Sequence, residues 1–532
     1  MTVAVGPDGR GLAADFVVWA RIELIRSLVS AVLGHGQGSR LRRSRGFGEA
    51  VGPWLVLPEH LVPKSPRQKW IETKESWERS RHIEVPAAVP AAPPRPGGLR
   101  IAFLIYRGNP RCGGQGVYTR HLTRELVALG HSVEVFSGAP WPELDPGVGF
   151  TPVGGLDLYR DPDPFRVPHP REFKSREDWV EFGIMCTAGF GEPLAYSRRA
   201  RQILADRRGD FDVVHDNQCL GTGMLGMVED GWPLLTTLHH PITVDRQLAL
   251  SHTTNPWQRF TTQRWFGFLG MQVRVARALP AVLTVSQSSR RDIAAQMQVR
   301  PERMTVVPVG VDPTVFRPRD DVTPKPGRVM VTSSSDVPMK GLVPLLEAVA
   351  KLRTERDVQL TVIGRPREGG RVDKAIARLG LSDAVHCVSG ISDDALARLY
   401  GESEVAVVPS LYEGFSLPAI EAMSCGVAVV ATTGGALPEV VGTDGETGLL
   451  VAPDDPGALA GAIARLLDDP ELRARLGAAG RERVISRFTW QVTAAGTAAC
   501  YEAVLEGRPL PGAPLIAPLP IDTDEPKREA VC

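Results

Sequence analysis

The chain has 532 residues, of which 43% are hydrophobic and 23% charged, and its 61 basic and 61 acidic residues give a formal net charge of zero. This length exceeds what one ordinary hydrophobic core fills, so we expect a globular protein with two domains. Zero net charge gives no overall attraction to nucleic acid, and no long uncharged apolar stretch predicts a membrane span. The seven cysteines are scattered without a CxxC pair, a pattern that indicates no zinc site and fits a reducing cytoplasm.

Residues 1–98 differ from the rest of the chain. Apolar positions repeat at helical spacing over Phe16–Leu33, which predicts an amphipathic helix that packs on protein or contacts a membrane surface. A basic run follows at Arg40–Arg45, and Val85–Gly98 is rich in proline and alanine. The latter segment predicts an extended, semi-rigid linker, so we interpret residues 1–98 as a leader.

Strands and helices alternate over residues 99–309. Leu99–Tyr106 is predicted to be a buried strand, Gly113–Gly116 a glycine turn, and Tyr118–Leu129 a helix. Later strands are predicted at Ser132–Phe136, Asp212–His215, Leu234–His239, Ala281–Val285 and Thr305–Val309. This succession predicts a doubly wound parallel α/β sheet.

A second alternation follows Gly310–Arg328, a segment with four prolines that predicts an interdomain connection. Strands are predicted at Val329–Thr332, Gln359–Ile363, Val385–Val388, Glu404–Val408, Ala428–Ala431 and Leu449–Val451. Helices are predicted at Leu342–Arg353, Asp393–Gly401, Leu417–Ser424, Pro456–Leu467 and Pro470–Val484. We therefore expect a second α/β domain over residues 310–486, a helix over 487–506 and a disordered tail over 507–532.

The start of the predicted helix Leu417–Ser424 carries the strongest chemical signal in the chain. Glu413 lies in the turn before it, and Gly414 lets the backbone come close to a ligand. Ser416 is expected to be the N-cap, and Pro418 suits the first helical turn. Such a helix start presents unbonded N–H groups and the positive end of the helix dipole, which together favour a phosphate.

A second carboxylate, Glu421, lies about one turn inside that helix and is expected to face the same side as Glu413. Amides suit phosphate oxygens and carboxylates suit hydroxyl groups, so the pattern indicates a sugar joined to a nucleotide diphosphate. Paired carboxylates are also typical of glycoside hydrolases. The phosphate-favouring helix start and the doubly wound architecture argue against that alternative.

Five stretches of sequence occur in a characteristic order. They are GGQGVYTRHLTRELVALGHSVEVF (113–136), TTLHHP (236–241), VLTVSQSSRRDI (282–293), VVPVGVDPTVFRP (306–318) and EGFSLPAIEAMSCGVAVVAT (413–432). Together they resemble the retaining family 4 glycosyltransferases of the GT-B fold, and the last stretch is the most specific. The resemblance implies two Rossmann-like domains that face a central cleft, with the nucleotide sugar in the second, the acceptor in the first, and the helix 487–506 returning to the first.

The resemblance also implies roles for residues of the first domain. His239 ends a strand at the edge where α/β sheets place ligands, and it is expected near the transferred sugar, donating a hydrogen bond to a hydroxyl or orienting the reacting groups. His240 is the second candidate, because the family pattern has one histidine there. Gly114 and Gln115 belong to a loop that approaches the donor diphosphate or the acceptor.

In the second domain, the resemblance gives Lys340 the role of supplying a cation to the diphosphate, where negative charge grows as the phosphate leaves. The family often has an arginine five or six residues earlier, but this chain has Ser334 and Ser335 there. Arg365, which follows a predicted strand, is a candidate replacement.

The remaining donor contacts follow from the same resemblance. Glu413 is expected to accept hydrogen bonds from hydroxyls of the donor sugar, and Glu421 from the ribose. The distal phosphate is expected on the backbone amides of Gly414, Phe415, Ser416 and Leu417. The expected catalytic residues are His239, Lys340 and Glu413.

The expected reaction is transfer of a hexose from a nucleotide sugar to an acceptor hydroxyl with retention of anomeric configuration. No cofactor and no metal are expected, since the Asp-x-Asp sequence Asp161–Asp163 is proline-rich and does not end a strand.

The acceptor is expected to be a sugar, a lipid or a small molecule. We expect a bacterial, cytoplasmic protein that contacts no nucleic acid, with peripheral contact at the inner membrane face as a further hypothesis.

Three other functions remain open from the sequence. The same fold also serves non-catalytic nucleotide-sugar binding, sugar phosphorolysis and nucleotide-sugar epimerisation. A nicotinamide oxidoreductase is disfavoured, because GGQGVY lacks the GxGxxG spacing and no acidic residue ends the next strand.

Overall fold

The computed structural model describes residues 73–79, 84–109, 114–160, 165–251, 253, 255–333 and 337–512. The predicted amphipathic helix Phe16–Leu33, the basic run Arg40–Arg45 and the chain after residue 512 lie outside these ranges. Within them, no helix combines the length and the apolar character that crossing a bilayer requires.

Two parallel β-sheets organise the described chain. The first contains β1 (Arg100–Ile105), β2 (Ser132–Ser137), β3 (Gly149–Pro152), β4 (Val213–Asn217), β5 (Leu234–Leu238), β6 (Val282–Thr284) and β7 (Met304–Val306). The second contains β8 (Arg328–Thr332), β9 (Gln359–Ile363), β10 (Val385–Val388), β11 (Val405–Val408), β12 (Ala428–Thr432) and β13 (Leu449–Val451). The strand orders are β3-β2-β1-β4-β5-β6-β7 and β10-β9-β8-β11-β12-β13. Both are doubly wound orders, which place ligands at the carboxyl ends of the strands.

Helices cover the faces of both sheets. The first half of the molecule, built around β1–β7, has α1 (Gly114–Ala128), α2 (Arg176–Cys186), α3 (Glu192–Ala205), α4 (Thr222–Glu229), α5 (Thr243–Ser251), α6 (Pro256–Trp265), α7 (Leu269–Ala278) and α8 (Gln287–Asp292). The second half, built around β8–β13, has α9 (Leu342–Leu352), α10 (Arg371–Arg378), α11 (Asp393–Gly401), α12 (Leu417–Ser424), α13 (Leu437–Val441), α14 (Pro456–Asp468) and α15 (Pro470–Arg487). The last helix, α16 (Trp490–Leu505), follows α15.

Apolar runs explain why these strands form. β12 reads AVVAT and is buried along its whole length, as expected for a parallel strand that is covered on both faces. On α9, Leu345, Leu346 and Val349 recur at helical spacing and pack in the same core cluster as the strands β8 and β9. Burying each such side chain contributes about 1.5–3 kcal/mol.

All of the predicted strands are present, with ends that agree within three residues. No strand is predicted at β3. No helix is predicted in the stretches 156–199 and 246–265, which contain α2, part of α3, most of α5 and all of α6. The predicted glycine turn Gly113–Gly116 is wrong in extent, because α1 begins at Gly114 and not at Tyr118. Glycine is a poor helix former in isolation, so the tertiary setting overrides local preference here.

The chain passes between the two halves at two neighbouring points. Val311, on the way to the second half, pairs in parallel with Thr489, on the way back. A Cβ atom on Gly310 would lie 2.2 Å from the backbone nitrogen of Trp490. The side-chain-free Gly310 therefore lets the two connections lie against each other.

After the second crossing, α16 packs against α1 of the first half. The hydroxyl of Thr493 donates to the carbonyl of Pro308 at 2.8 Å, and the hydroxyl of Tyr501 lies 2.6 Å from Nδ1 of His215 on β4. Beyond α16, the hydroxyl of Thr305 donates to the carbonyl of Pro511 at 2.6 Å. Pro511, within the predicted disordered tail, thus contacts the first sheet.

The predicted linker runs along the edge of the first sheet; we call residues 84–98 the strap. Val89 pairs antiparallel with Phe150 of the edge strand β3 through hydrogen bonds of 2.8 and 2.7 Å. Between the strap and the sheet lies a cavity of about 450 Å³, where Glu134 and Arg207 form an ion pair. Covering an edge strand removes an unpaired row of backbone groups that would otherwise pair with another chain.

Truncation tests whether the strap belongs to the folded unit. We expect deletion of residues 1–98 to lower the free energy of unfolding by about 2 kcal/mol more than deletion of residues 1–83, because β3 then loses two backbone hydrogen bonds and its apolar cover. Urea unfolding of the two truncations measures the difference. Equal stabilities would show that the strap only tethers the leader.

Candidate active site

The turn between β11 and α12 presents backbone amides at a helix start. Ser416 caps α12, and its side chain accepts from the amide of Ala419 at 3.4 Å. Its φ of 112° is a conformation that non-glycine residues rarely adopt and that clusters at functional sites. In the described part of the chain, no acceptor bonds the amides of Gly414, Phe415, Ser416 and Leu417. These amides meet the requirement for binding a phosphate at a helix start.

The side chains of Glu413 and Phe415 in this turn differ in their burial. Phe415 is buried, with its ring 5.5 Å from that of Phe488, so only its backbone is available to a ligand. Glu413 is half-buried and accepts from the hydroxyl of Ser410 at 2.7 Å.

Lys340 and Glu413 lie together as an ion pair, with Nζ of Lys340 2.8 Å from Oε1 of Glu413. Their side chains retain 20% and 13% of their exposure, so both are largely buried. Gly341 allows this arrangement, because it has a φ of 63° and a Cβ there would lie 1.8 Å from the carbonyl oxygen of Pro409. The tight turn after Lys340 therefore sits directly against the end of β11.

Glu421 lies on α12 and is half-buried. Its Oε2 accepts from the hydroxyl of Tyr400 at 3.1 Å. Burial raises the pKa of Glu421 to about 7, since a carboxylate loses hydration there. The carboxyl group therefore changes protonation state near neutral pH.

His239 follows β5 in the first half, and its ring is held by Asn217 at the end of the neighbouring strand β4. Nε2 of His239 lies 2.8 Å from Oδ1 of Asn217, and the ring packs edge-on against Tyr118, 4.7 Å between centroids. The backbone amide of His239 donates to Oε1 of Gln218 at 2.7 Å. Burial lowers the pKa of His239 well below its usual value, so the ring is neutral.

A chain of hydrogen bonds fixes which ring nitrogen of His239 carries the proton. The hydroxyl of Thr119 donates to the carbonyl of Gln115 at 2.9 Å, so it accepts from Nδ2 of Asn217 at 3.0 Å. Oδ1 of Asn217 is then the acceptor, and Nε2 of His239 is the donor. Nδ1 is left with a lone pair. Nδ1 can therefore only accept a hydrogen bond, whereas the sequence analysis expects the ring to donate to a sugar hydroxyl or to orient the reacting groups.

The second histidine has a different environment. Nε2 of His240 lies 2.9 Å from Oδ2 of Asp245 on α5. Although burial opposes ionisation, the neighbouring His240 holds the pKa of Asp245 below its usual value. The imidazole of His240 is thus committed to a partner within its own half.

The two halves meet at Gly414. A Cβ there would lie 3.0 Å from Cβ of His240 and 3.1 Å from the carbonyl oxygen of His239. The hydroxyl of Ser289 lies within hydrogen-bond distance of the carbonyls of both His239 (2.9 Å) and Gly414 (3.1 Å). The structure thus brings the predicted histidine next to the predicted donor turn.

Other predicted residues lie apart from this cluster. Gly114 is exposed at the start of α1, with open space around it, and the carbonyl of Gln115 belongs to the hydrogen-bond chain above. Arg365 is exposed and makes no hydrogen bond or ion pair with the described residues. Ser334, Ser335 and the segment Asp161–Asp163 lie outside the described residues.

Sequence reasoning missed Asn217, Thr119, Ser289 and Glu439, a residue of α13. Asn217 had a usable signal, because it follows a predicted strand at the same sheet edge as His239. The others carry no local signal, since each acts on a residue far away in the chain.

Comparison with known proteins covers both halves. The family described as "Glycosyltransferase Family 4" matches residues 112–315, and "Glycosyl transferases group 1" matches residues 317–483. The chain is 53% identical to an MMP alpha-(1->4)-mannosyltransferase from Mycolicibacterium hassiacum, over 76% of this chain and 98% of that protein. It is 30% identical to D-inositol 3-phosphate glycosyltransferase 2 from Catenulispora acidiphila, over 76% of this chain and 95% of that protein.

Among solved structures, the chain is similar to sucrose-phosphate synthase from Thermosynechococcus elongatus. The TM-score is 0.61 and the identity 26%, covering 77% of this chain and all of the solved one. This is the GT-B architecture, and the fold expected from the sequence is confirmed.

Asn217 offers a test of the hydrogen-bond chain at His239. We expect Asn217→Ala to lower kcat for glycosyl transfer about tenfold, the effect of losing one buried hydrogen bond, because the ring is no longer held in one tautomer. Steady-state kinetics measures the loss, and the ¹⁵N shifts of the imidazole report the tautomer directly.

Two substitutions of Thr119 provide a test variant and a control for that experiment. Thr119→Val removes the hydroxyl at constant shape and should reproduce part of the loss, whereas Thr119→Ser should retain activity. Full activity of both Asn217→Ala and Thr119→Val would contradict the assigned chain.

Proposed function

Because this chain belongs to the family 4, group 1 glycosyltransferases, we propose that it transfers mannose from a nucleotide-mannose donor to a 4-hydroxyl of a saccharide acceptor, forming an α-(1→4) linkage. The broader activity follows from the family and its relatives: it is a retaining hexosyltransferase that uses a nucleotide-sugar donor. The mannose, the linkage and the acceptor class rest on the name of the relative with 53% identity. Retention together with an α product requires an α-configured donor.

The observation that carries the proposal is the Lys340–Glu413 ion pair beside the unbonded amides of the Gly414 turn. We assign the amides of Gly414–Leu417 and the Lys340 ammonium to the diphosphate. Glu413 then accepts from hydroxyls of the transferred sugar, and Glu421 from those of the ribose. The carboxylates of Glu413 and Glu421 thus lie on either side of these amides, as the transferred sugar and the ribose lie on either side of the diphosphate.

The proposed reaction begins as the bond between the anomeric carbon and the phosphate lengthens. Negative charge grows on the leaving phosphate, where Lys340 and the amides of the α12 start stabilise it. The acceptor hydroxyl attacks from the same face and gives its proton to that phosphate. Nδ1 of His239 accepts from a hydroxyl of the transferred sugar and fixes its orientation. No residue is assigned as a covalent nucleophile.

The acceptor is assigned to the first half, opposite the donor turn. We further propose the division into a leader (1–98), an acceptor domain (99–309), a donor domain (310–486), a returning helix (487–506) and a tail (507–532). The crossings at Gly310 and Thr489 support the boundaries between the halves. Contact between them excludes water from the reacting atoms, which limits hydrolysis of the donor.

Two variants test the catalytic assignment. Lys340→Ala and Glu413→Gln should each lower kcat/KM by about 10²–10³-fold, since each removes an interaction with charge or hydroxyls of the reacting donor. Release of nucleoside diphosphate in the presence of an α-mannoside acceptor measures turnover, and NMR of the product gives the linkage and its anomeric configuration.

Lys351→Ala is the matched control, because Lys351 is an exposed lysine in the last turn of α9. It should behave as the unchanged protein. Stable binding of a nucleotide sugar without any turnover would instead support a non-catalytic binding protein. Turnover that needs free phosphate as acceptor would identify a phosphorylase.

A thermal-shift series of UDP-, GDP- and ADP-mannose and of the corresponding glucose donors identifies the donor. A ligand present at about 100 times its dissociation constant stabilises the folded state by about 2.7 kcal/mol. Stabilisation by glucose donors alone would contradict the mannose assignment.

The pKa of Glu421 predicts a pH dependence of donor binding. Ribose hydroxyls donate to the ionised carboxylate, so the donor binds the deprotonated form and affinity falls as pH drops below about 7. We expect the donor KM to be about tenfold higher at pH 6 than at pH 8. Glu421→Gln should bind the donor more weakly, so its KM should be higher but should not change with pH over this range. The same pH dependence in this variant would refute the assignment.

A further inference from the structure

Helix α8 of the first half contacts the donor turn of the second half directly. The hydroxyl of Ser286, the N-cap of α8, donates to the carbonyl of Gly414 at 2.7 Å. Ser289, one turn further on, lies 3.1 Å from the same carbonyl and 2.9 Å from that of His239. The peptide unit that carries the amide of Phe415, the second in the row of proposed phosphate-binding amides, is thus held by side chains from the opposite half.

The amino end of α8 is bonded by a carboxylate from the second half. The side chain of Glu439, on α13, accepts from the amide of Gln287 at 2.7 Å and from that of Ser288 at 2.5 Å. Amides of a first helical turn have no partner within their own helix. A carboxylate there is further favoured by the helix dipole, so Glu439 completes α8 from across the cleft.

The other end of α8 is held as well. The hydroxyl of Tyr412, which immediately precedes Glu413, donates to Oδ2 of Asp292 at 2.7 Å. Arg291 of α8 lies 3.9 Å from Glu439. Helix α8 is therefore fixed between α13 and the segment that carries the donor-binding carboxylate.

Glu439 has a fixed position within its own half. Its backbone carbonyl accepts from Nη2 of Arg483 on α15 at 2.8 Å. The side chain is largely buried against α8, with 13% of its exposure remaining. The carboxylate is therefore anchored in the second half and is aimed at the first.

We propose that Glu439 is a positioning residue for the transfer reaction, and that α8, held between Glu439 and Tyr412, sets the orientation of the Gly414 peptide. The inference rests on the proposed role of the Gly414–Leu417 amides in binding the diphosphate. When the halves meet, α8 fixes the carbonyl of Gly414 and the following amides point at the phosphate. When they separate, Gly414 loses both serine contacts and α8 loses its carboxylate. The donor site is then complete only in the closed arrangement, which confines bond breaking to that state.

Substitution of Glu439 by glutamine tests this inference. Glu439→Gln places an NH₂ group against amide donors, so we expect kcat to fall about tenfold. The Kd of the free nucleoside diphosphate should change less than about threefold, because Lys340 and the amides still bind it when the Gly414 peptide is less well oriented, whereas the transition state depends on that orientation. The amides of Gln287 and Ser288 should exchange hydrogen faster in the nucleotide-bound protein. Glu446→Gln, an exposed carboxylate in the same half, is the matched control and should change none of these.

Ser289→Ala probes the same helix without altering its cap. It should also lower kcat. The loss of kcat in the double variant with Glu439→Gln should be smaller than the product of the two single losses, because both substitutions act through α8. This variant keeps the inference testable if Glu439→Gln fails to fold.

The outcomes separate the inference from the proposed function. Loss of activity in Lys340→Ala and Glu413→Gln with full activity in Glu439→Gln would overturn the inference alone. Full activity in all three variants would overturn the donor-site assignment itself. A Glu439→Gln protein that weakens nucleoside diphosphate binding as much as kcat would indicate general damage to the second half, and would also overturn the inference.

Discussion

The carbonyl oxygen of Gly414 accepts hydrogen bonds from serine side chains of the opposite half, and the rest of the site depends on this contact. It requires that position 414 have no side chain, because a Cβ would meet His239 and His240. With the backbone this close, the turn of Glu413 and Gly414 lies directly against His239 and His240. The proposed donor side and the proposed acceptor side therefore meet at this turn.

Buried polar groups decide the chemistry on both sides of that contact. Desolvation keeps the ring of His239 neutral, while Asn217 and Thr119 determine where its proton sits. Desolvation also raises the pKa of Glu421 to about 7, so the carboxyl group is partly protonated at physiological pH. Each of these groups has a hydrogen-bond partner. The low dielectric therefore strengthens their hydrogen bonds, which offset the free energy lost on desolvation.

The sequence predicted the sheets well, because buried parallel strands such as β12 are short runs of valine and alanine with few alternatives. It missed β3 and the polar or aromatic helices α2, α5 and α6, whose residues have no clear period and are ordered by tertiary packing. Glu413, Lys340 and His239 were named from the sequence, and the structure places them around one turn. Asn217 and Glu439 were not, since their roles depend on partners 22 and more than 150 residues away. The tautomer of His239 depends on the same kind of distant partner, since Asn217 lies 22 residues away.

The double crossing at Gly310 and Thr489 has a consequence for how the chain is assembled. The first half is fully packed only after the ribosome has made α16, because Tyr501 and Thr493 from the far end of the chain bond to His215 and Pro308. During synthesis, the second half therefore becomes available to fold while the first still lacks this helix. The last helix then completes the first half, and a message truncated before it would leave that half without its final layer.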